Sequence, residues 1–273
     1  MELKTRRHAS ARINALPVSL LALTLISTVL RTLALLAFFD SDVGYFRADT
    51  ALLPILYVLE VSAVCLCIVF PFLIIKEFSA PKHVCALEFI GTAFCALAFA
   101  LAALFLLFFR ARVPAPTILV LLAVVFSVLA ALHFALRLRD TDSGTLAWFG
   151  YGVILAAAMI LAITYFDRYT PMNAPHKISQ HVCMLAAMGA ILMEQRELLD
   201  RSLPRVRIAT LLASFFLCTT VGISNVVAFV FGELSSVLYL FFDLIILAFA
   251  AYFGGKCLKI LFPHTATESE VDA

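Results

Sequence analysis

The sequence predicts an all-α integral membrane protein with about eight transmembrane helices. Three observations support this prediction. Apolar residues make up 63% of the 273-residue chain and charged residues only 14%, whereas charged residues approach a quarter of a typical soluble domain. Apolar segments recur along the whole chain, and most reach the roughly 20 residues that cross a hydrocarbon core of about 30 Å. The connectors between these segments are too short to form a separate soluble domain.

The apolar segments can be placed in chain order by their polar boundaries. They cover residues 16–39, 51–75, 84–109, 115–136, 146–166, 178–193, 208–231 and 235–255. The connectors contain turn-forming residues such as Pro81, Pro114 and Gly232, and short connectors favour antiparallel neighbours. The sixth segment is the shortest. Glu197 and Arg201 follow it at a spacing that favours an ion pair on a helix, so this helix is predicted to continue past the membrane.

The first segment follows a basic stretch, an order also found in signal peptides. The apolar run is longer than a signal peptide requires and has no small-residue cleavage pattern before Asp40. We therefore interpret it as a retained span. The predicted organisation is a cytoplasmic basic segment over 1–15, a membrane domain over 16–262 and an acidic cytoplasmic tail over 263–273.

The distribution of Lys and Arg predicts the orientation. These residues are concentrated in the N-terminal segment and in the connectors that follow the even-numbered segments. Such residues favour the cytoplasmic side, so both termini are predicted to be cytoplasmic. The net charge of +2 is small and spread over many connectors, which argues against nucleic acid as a partner.

Cysteine and histidine give no prediction of a metal or cofactor. The seven cysteines lie in or beside apolar segments without a Cys-x-x-Cys pair, so they are predicted to be small core residues. His133 and His181 lie near opposite ends of the membrane and are predicted to be ordinary core or interfacial residues. The chain also lacks the common catalytic motifs, so no catalytic residue is predicted.

A set of polar residues is predicted to share one layer in the outer half of the membrane. Arg31 lies in the first segment, where an arginine costs at least about 3 kcal/mol. From the helical rise, its depth below the outer surface is roughly 10–14 Å, as is that of Glu60, Asn225 and Asp243. Two carboxylates face one arginine, so one of them is predicted to be left over.

Two tyrosines could complete this layer, and its role has two interpretations. Tyr57 precedes Glu60 by three residues and Tyr239 precedes Asp243 by four, which places each pair on one helix face. The layer is either a polar clasp between spans or a site for a ligand or ion. The leading hypothesis is non-enzymatic binding, sensing or transport of a small solute or ion that arrives from outside.

Two other classes of function stay open. Small residues spaced by four can bring helices together in lipid, either within one chain or in a homo-oligomer; they are Ala186 with Ala190, Ala250 with Gly254, and Ala251 with Gly255. A scaffold or partner subunit would use these faces and the segment 194–207. An intramembrane enzyme would have to use Glu60 and Asp243. In every case membrane lipids surround the protein.

The stretch from Tyr165 to Leu198 has a recognisable pattern. It reads FD, then PMNxPxK, then an apolar helix that ends in ExR. This pattern resembles a loop found in uncharacterised bacterial multi-pass membrane proteins, a family from which no activity can be transferred. The resemblance implies a bacterial plasma membrane, with Asp167, Asn173 and Lys177 as the matching polar positions. These three residues either form a rigid re-entry loop or contribute to a site.

Overall fold

The structure is a computed structural model, and it confirms an all-α polytopic architecture. It describes residues 2–40, 43–47, 51–74, 86–139, 144–168, 170–171, 173–201, 203–234 and 236–261. The described part contains eight long helices: α1 Glu2–Phe38, α2 Leu52–Ile74, α3 Ala86–Phe108, α4 Thr117–Arg137, α5 Gly144–Phe166, α6 Pro175–Leu198, α7 Pro204–Val230 and α8 Val237–Leu261. A hairpin of β1 (Phe39–Asp40) and β2 (Tyr45–Phe46) connects α1 to α2.

The predicted boundary between a basic segment and the first span is not a boundary of structure. Helix α1 begins at Glu2 and runs without a break into the apolar residues. The basic stretch is therefore an extension of the first helix. The predicted acidic tail, 263–273, lies outside the described residues.

Helix α8 is the centre of the bundle. It packs against α3, α6 and α7, and its aromatic residues also reach α4. Helices α1 and α2 lie on the far side of α7. We call the end at which α1, α3, α5 and α7 begin the inner end, and the opposite end the outer end. Each helix from α3 to α8 packs against the next one along the chain, and α1 packs against α2, whereas α2 and α3 are not packed against each other over their described residues.

Helices α3 and α8 approach each other closely at the inner end. A Cβ atom added to Gly255 would lie 2.5 Å from the backbone of Glu88. A Cβ atom added to Gly91 would lie 2.6 Å from the backbone of Tyr252. In lipid, helix association depends on such packing and not on the expulsion of water. Gly255, one of the small residues marked in the sequence, is therefore used inside one chain.

Seven of the eight helices are long and apolar enough to cross a membrane, and α6 is the exception. Its polar residues lower its overall hydropathy, but five of them are buried: His176, Lys177, Gln180, Glu194 and Gln195. Its exposed face carries Ile178, Val182, Leu185 and Leu192, which suits contact with lipid. At a rise of about 1.5 Å per residue its 24 residues extend about 36 Å.

The contacts of α6 run along its whole length. Near its outer end, His181 approaches Thr164 of α5, and near its inner end Gln195 packs against Gly150 of the same helix. On the other side, Ser214 of α7 donates to the carbonyl oxygen of Ala186. The helix thus lies antiparallel to α5 and α7 from one end of the bundle to the other. The eight predicted segments correspond to the eight helices, of which seven are long and apolar enough to span. Helix α6 continues past its apolar segment, 178–193, to Leu198, as predicted, and it begins three residues before that segment, at Pro175.

The described cysteines are free thiols. Cys67, Cys95, Cys183, Cys218 and Cys257 are buried among apolar neighbours, as predicted for small core residues. Cys65 differs because it is exposed on α2. Cys85 lies outside the described residues.

Candidate functional site

Arg31 and Glu60 form an ion pair between α1 and α2. Arg31 Nη1 donates to Glu60 Oε1 at 3.0 Å, and the exposed fractions of the two side chains are 6% and 16%. Helix α1 is held in place by hydroxyl contacts with α7, since Ser224 donates to the carbonyl oxygen of Thr28 at 3.2 Å. The arginine thus has the carboxylate partner that its depth requires.

The ion pair lines a groove between α2 and α6, with α7 as its floor. The groove has a volume of about 400 Å³. Tyr57, Ile178 and Val182 lie along its edge and are nearly half exposed, so the groove is open to its surroundings. Its lining residues are Arg31, Tyr57, Glu60, Asn173, Pro175, Ile178, Ser179, Val182, Phe216, Leu217, Thr220 and Val221. The lining therefore combines charged and polar side chains with apolar ones.

The loop between α5 and α6 closes the outer end of this groove. Lys177 Nζ donates to the carbonyl oxygens of Asp167 at 3.0 Å and Thr170 at 3.3 Å. Tyr239 of α8 donates to Asp167 Oδ2 at 2.6 Å. The Tyr45 hydroxyl, in the hairpin after α1, donates to Asn173 Oδ1. The loop is therefore held from three directions.

The three outer-loop candidates thus have different positions. Asp167 and Lys177 are buried and hold the loop together, as in the re-entry interpretation of this segment. Asn173 is exposed and lines the groove beside Pro175. Of the three, Asn173 is the residue that a solute in the groove could contact.

Asp243 lies in a second polar cluster, enclosed by α6, α7 and α8. Its Oδ1 accepts hydrogen bonds from Gln180 Nε2 at 2.7 Å and from Asn225 Nδ2 at 2.8 Å. His176 Nε2 lies 3.6 Å from Oδ2. All four side chains are at most 4% exposed. The predicted layer therefore divides into a pair that lines the groove and a buried carboxylate held by amides.

The two predicted tyrosines also separate. Tyr57 lines the groove with Arg31 and Glu60, as its spacing predicted. Tyr239 was expected to complete the surroundings of Asp243, but its hydroxyl instead binds Asp167. Tyr239 lies one helical turn nearer the outer end of α8 than Asp243, so its hydroxyl contacts the loop between α5 and α6 instead.

Sequence reasoning missed two members of the Asp243 cluster. His176 and Gln180 lie at the start of α6, outside or at the margin of the predicted apolar segment. Their spacing of four residues on one helix face was a usable signal. The sequence did not show that α6 packs on α8, so this spacing could not be connected with Asp243.

A third polar cluster, at the inner end, was also missed. Glu194 Oε2 accepts from Tyr252 at 2.8 Å and from Arg137 at 3.1 Å, and Glu194 Oε1 accepts from Lys256 at 2.5 Å. The carboxylate is 5% exposed and connects α6 to α4 and α8. Arg207 pairs with Glu197 beside it. Glu194, Glu197 and Arg207 of the segment 194–207 therefore form ion pairs within the protein.

The predicted core histidines have local partners. His133 Nδ1 lies 3.2 Å from the carbonyl oxygen of Leu146, and His181 Nδ1 lies 2.6 Å from that of Lys177. Within the described ranges, no three His, Cys, Asp or Glu side chains come close enough to hold a metal ion.

The fold and the groove define a class: a multi-pass helical membrane protein with an ion pair lining a groove in the outer half of the helical bundle. Comparison with protein-family models, with curated proteins and with solved structures found no match. The loop resemblance noted in the sequence therefore stays a prediction.

Proposed function

We propose that this protein binds a small dipolar solute in the groove between α2 and α6. A dipolar solute here means one that carries both an anionic or accepting group and a cationic or donating group. The observation behind the proposal is that Arg31 and Glu60, a cation and an anion, line the same groove side by side. A singly charged solute would be attracted by one of them and repelled by the other.

The remaining lining fits a solute with a small apolar body. Phe216, Leu217 and Val221 form an apolar floor. The Thr220 hydroxyl is 99% buried and has no hydrogen-bond partner within the described residues, and Arg31 Nε is likewise unpaired. Mostly apolar pockets with a few placed polar groups are typical of small-molecule sites. Binding, with or without subsequent transport, is the role that this lining supports.

The proposal includes an orientation. Both termini are cytoplasmic and the groove faces the outside, in a bacterial plasma membrane if the loop resemblance holds. A reporter fused after Ala273 that is active only in the cytoplasm is expected. A fusion active only outside would overturn the orientation and place the groove on the cytoplasmic side.

Three matched probes test the class of ligand. Leucine is dipolar, 4-methylpentanoate carries the same side chain with only the carboxylate, and 3-methylbutylamine carries it with only the amine. Each would be added to the purified protein in lipid nanodiscs while its melting temperature is measured. A ligand that binds only the folded state raises this temperature with concentration. We expect leucine to stabilise the protein at concentrations at which the other two do not.

Variants then locate the effect. Arg31→Gln and Glu60→Gln should each abolish the leucine response, whereas Arg110→Gln, at an exposed outer position away from the groove, should retain it. Replacement of Thr220 by Val should weaken the response without removing it. A melting temperature indifferent to all three probes, or a response that survives both groove variants, would overturn the proposal.

A further inference from the structure

Among the buried charged side chains that the structure describes in the outer half of the bundle, Asp243 has no lysine or arginine within ion-pair distance. Arg31 forms its hydrogen bond with Glu60. Lys177 is fixed on the loop that contains Asp167. These four groups carry two positive and two negative charges, so Asp243 adds an unmatched negative charge. An isolated carboxylate is very costly away from water unless a counter-charge approaches it.

His176 does not neutralise Asp243 in the observed arrangement. The 3.6 Å between Nε2 and Oδ2 exceeds hydrogen-bond distance. Neither ring nitrogen has a hydrogen-bond partner within the described residues. Arg31 acts on Asp243 only at a distance, because its own contact is with Glu60.

The amides beside Asp243 have unused oxygen atoms. Gln180 and Asn225 each donate an N–H to Oδ1, while Gln180 Oε1 and Asn225 Oδ1 have no hydrogen-bond partner. Both side chains are at least 98% buried. Rotation of each terminal amide group by about 180° exchanges the positions of its nitrogen and oxygen atoms. Two amide oxygens, one from α6 and one from α7, would then face Asp243 Oδ1 from the places that the two N–H groups occupy now.

We infer that Asp243, Gln180 and Asn225 form a binding site for a monovalent cation of the sodium type. Oxygen atoms are the ligands that hard cations prefer. The charge selects the valence: one carboxylate and one monovalent ion leave the site neutral, whereas a divalent ion would leave a net positive charge inside the membrane. The site stands apart from the groove and does not depend on what binds there.

The test compares melting temperatures in nanodiscs at one fixed pH, with sodium chloride exchanged for choline chloride at constant ionic strength. For the wild type, the melting temperature should rise with the logarithm of the sodium concentration. Asp243→Asn should show no sodium response, because the neutral isostere needs no counter-ion. In choline alone, Asp243→Asn should melt above the wild type.

Asp200→Asn is the matched control, since it makes the same substitution at an exposed carboxylate near the opposite end of the bundle. It should retain the full sodium response. Direct binding of radioactive sodium to the wild type provides a second measurement that needs no variant, and Asn225→Leu should reduce it at least tenfold. Substitution of potassium for sodium tests the size preference.

Several results would overturn the inference. A wild-type protein whose stability is the same in sodium and choline has Asp243 neutralised by a proton or by His176. A sodium response that is lost in Glu60→Gln but kept in Asp243→Asn places the ion in the groove. Loss of the leucine response alone, with the sodium response intact, would instead count only against the proposed solute.

Discussion

Replacement of Arg31 by alanine measures what the ion pair with Glu60 contributes. The change leaves a carboxylate at 16% side-chain exposure without its partner. Removal of one member of a buried pair costs about 3–5 kcal/mol, and the partial exposure of Glu60 places the expected loss near the lower value. For a domain of this size 1 kcal/mol corresponds to about 2–4 °C, so the melting temperature should fall by roughly 6–12 °C.

The reverse single change should be more harmful. Glu60→Ala strands Arg31, which is only 5% exposed and keeps its charge under all ordinary conditions. A carboxylate left alone can accept a proton, but a guanidinium has no comparable escape. We therefore expect Glu60→Ala to lower the melting temperature more than Arg31→Ala does.

A double variant tests the same pair in a second way. Arg31→Leu with Glu60→Leu should recover much of the loss, since two apolar side chains need no partner in lipid. Thermal unfolding in detergent, with Arg110→Ala as the exposed control, provides the measurement. An Arg31→Ala protein as stable as the wild type would refute the reasoning, because it would mean that the ion pair adds no stability and that Glu60 reaches water or takes a proton without Arg31.

The remaining predictions concern the core. Gly255→Ala should destabilise the protein by about 1–3 kcal/mol through overpacking against α3. Gly189→Ala, with nothing within 4 Å of the added Cβ, should be neutral or stabilise the protein by up to about 1 kcal/mol. Thermal unfolding measures both variants, and equal effects would contradict the close approach of α3 and α8. Glu194→Gln should cost about 3 kcal/mol or more because Arg137 and Lys256 lose their shared carboxylate; unchanged stability would show that these cations reach solvent.

Position along each helix was predictable from the sequence, but direction around each helix was not. Arg31 and Glu60 come from consecutive helices, so a short connector and equal depth were enough to pair them. Asp243 and Gln180 come from α8 and α6, whose contact depends on the order of helices around the bundle. Chain order does not fix that arrangement.

The same difference explains the fate of Tyr239. Its spacing to Asp243 predicted a common helix face, and both side chains are buried. The loop that contains Asp167 folds back over the outer end of α8 and offers Tyr239 a nearer carboxylate. Helical spacing predicts which side chains share a face, whereas the partner on that face depends on a loop whose position the sequence did not predict.

Helix α6 connects the buried carboxylate of one end with the charge cluster of the other. His176 and Glu194 are separated by about five helical turns, so they lie on the same face, and Gln180 lies about 40° to one side of that direction. His176 and Gln180 contact Asp243, while Glu194 contacts Lys256, and both partners belong to α8. The polar residues at both ends of α6 therefore contact polar residues of the same neighbouring helix, α8.

This matching has a consequence for how α6 enters the membrane. A single charged residue at the centre of an isolated spanning helix costs about 2.5–3.5 kcal/mol on insertion scales, and α6 carries Lys177 and Glu194 together with buried amides. Its partner Lys256 lies on α8, later in the chain. The exposed face of α6 suits lipid only when the opposite face is covered. The stable position of α6 must therefore depend on α7 and α8, so the helix that contributes most to the polar interior is also the one least able to span the membrane alone.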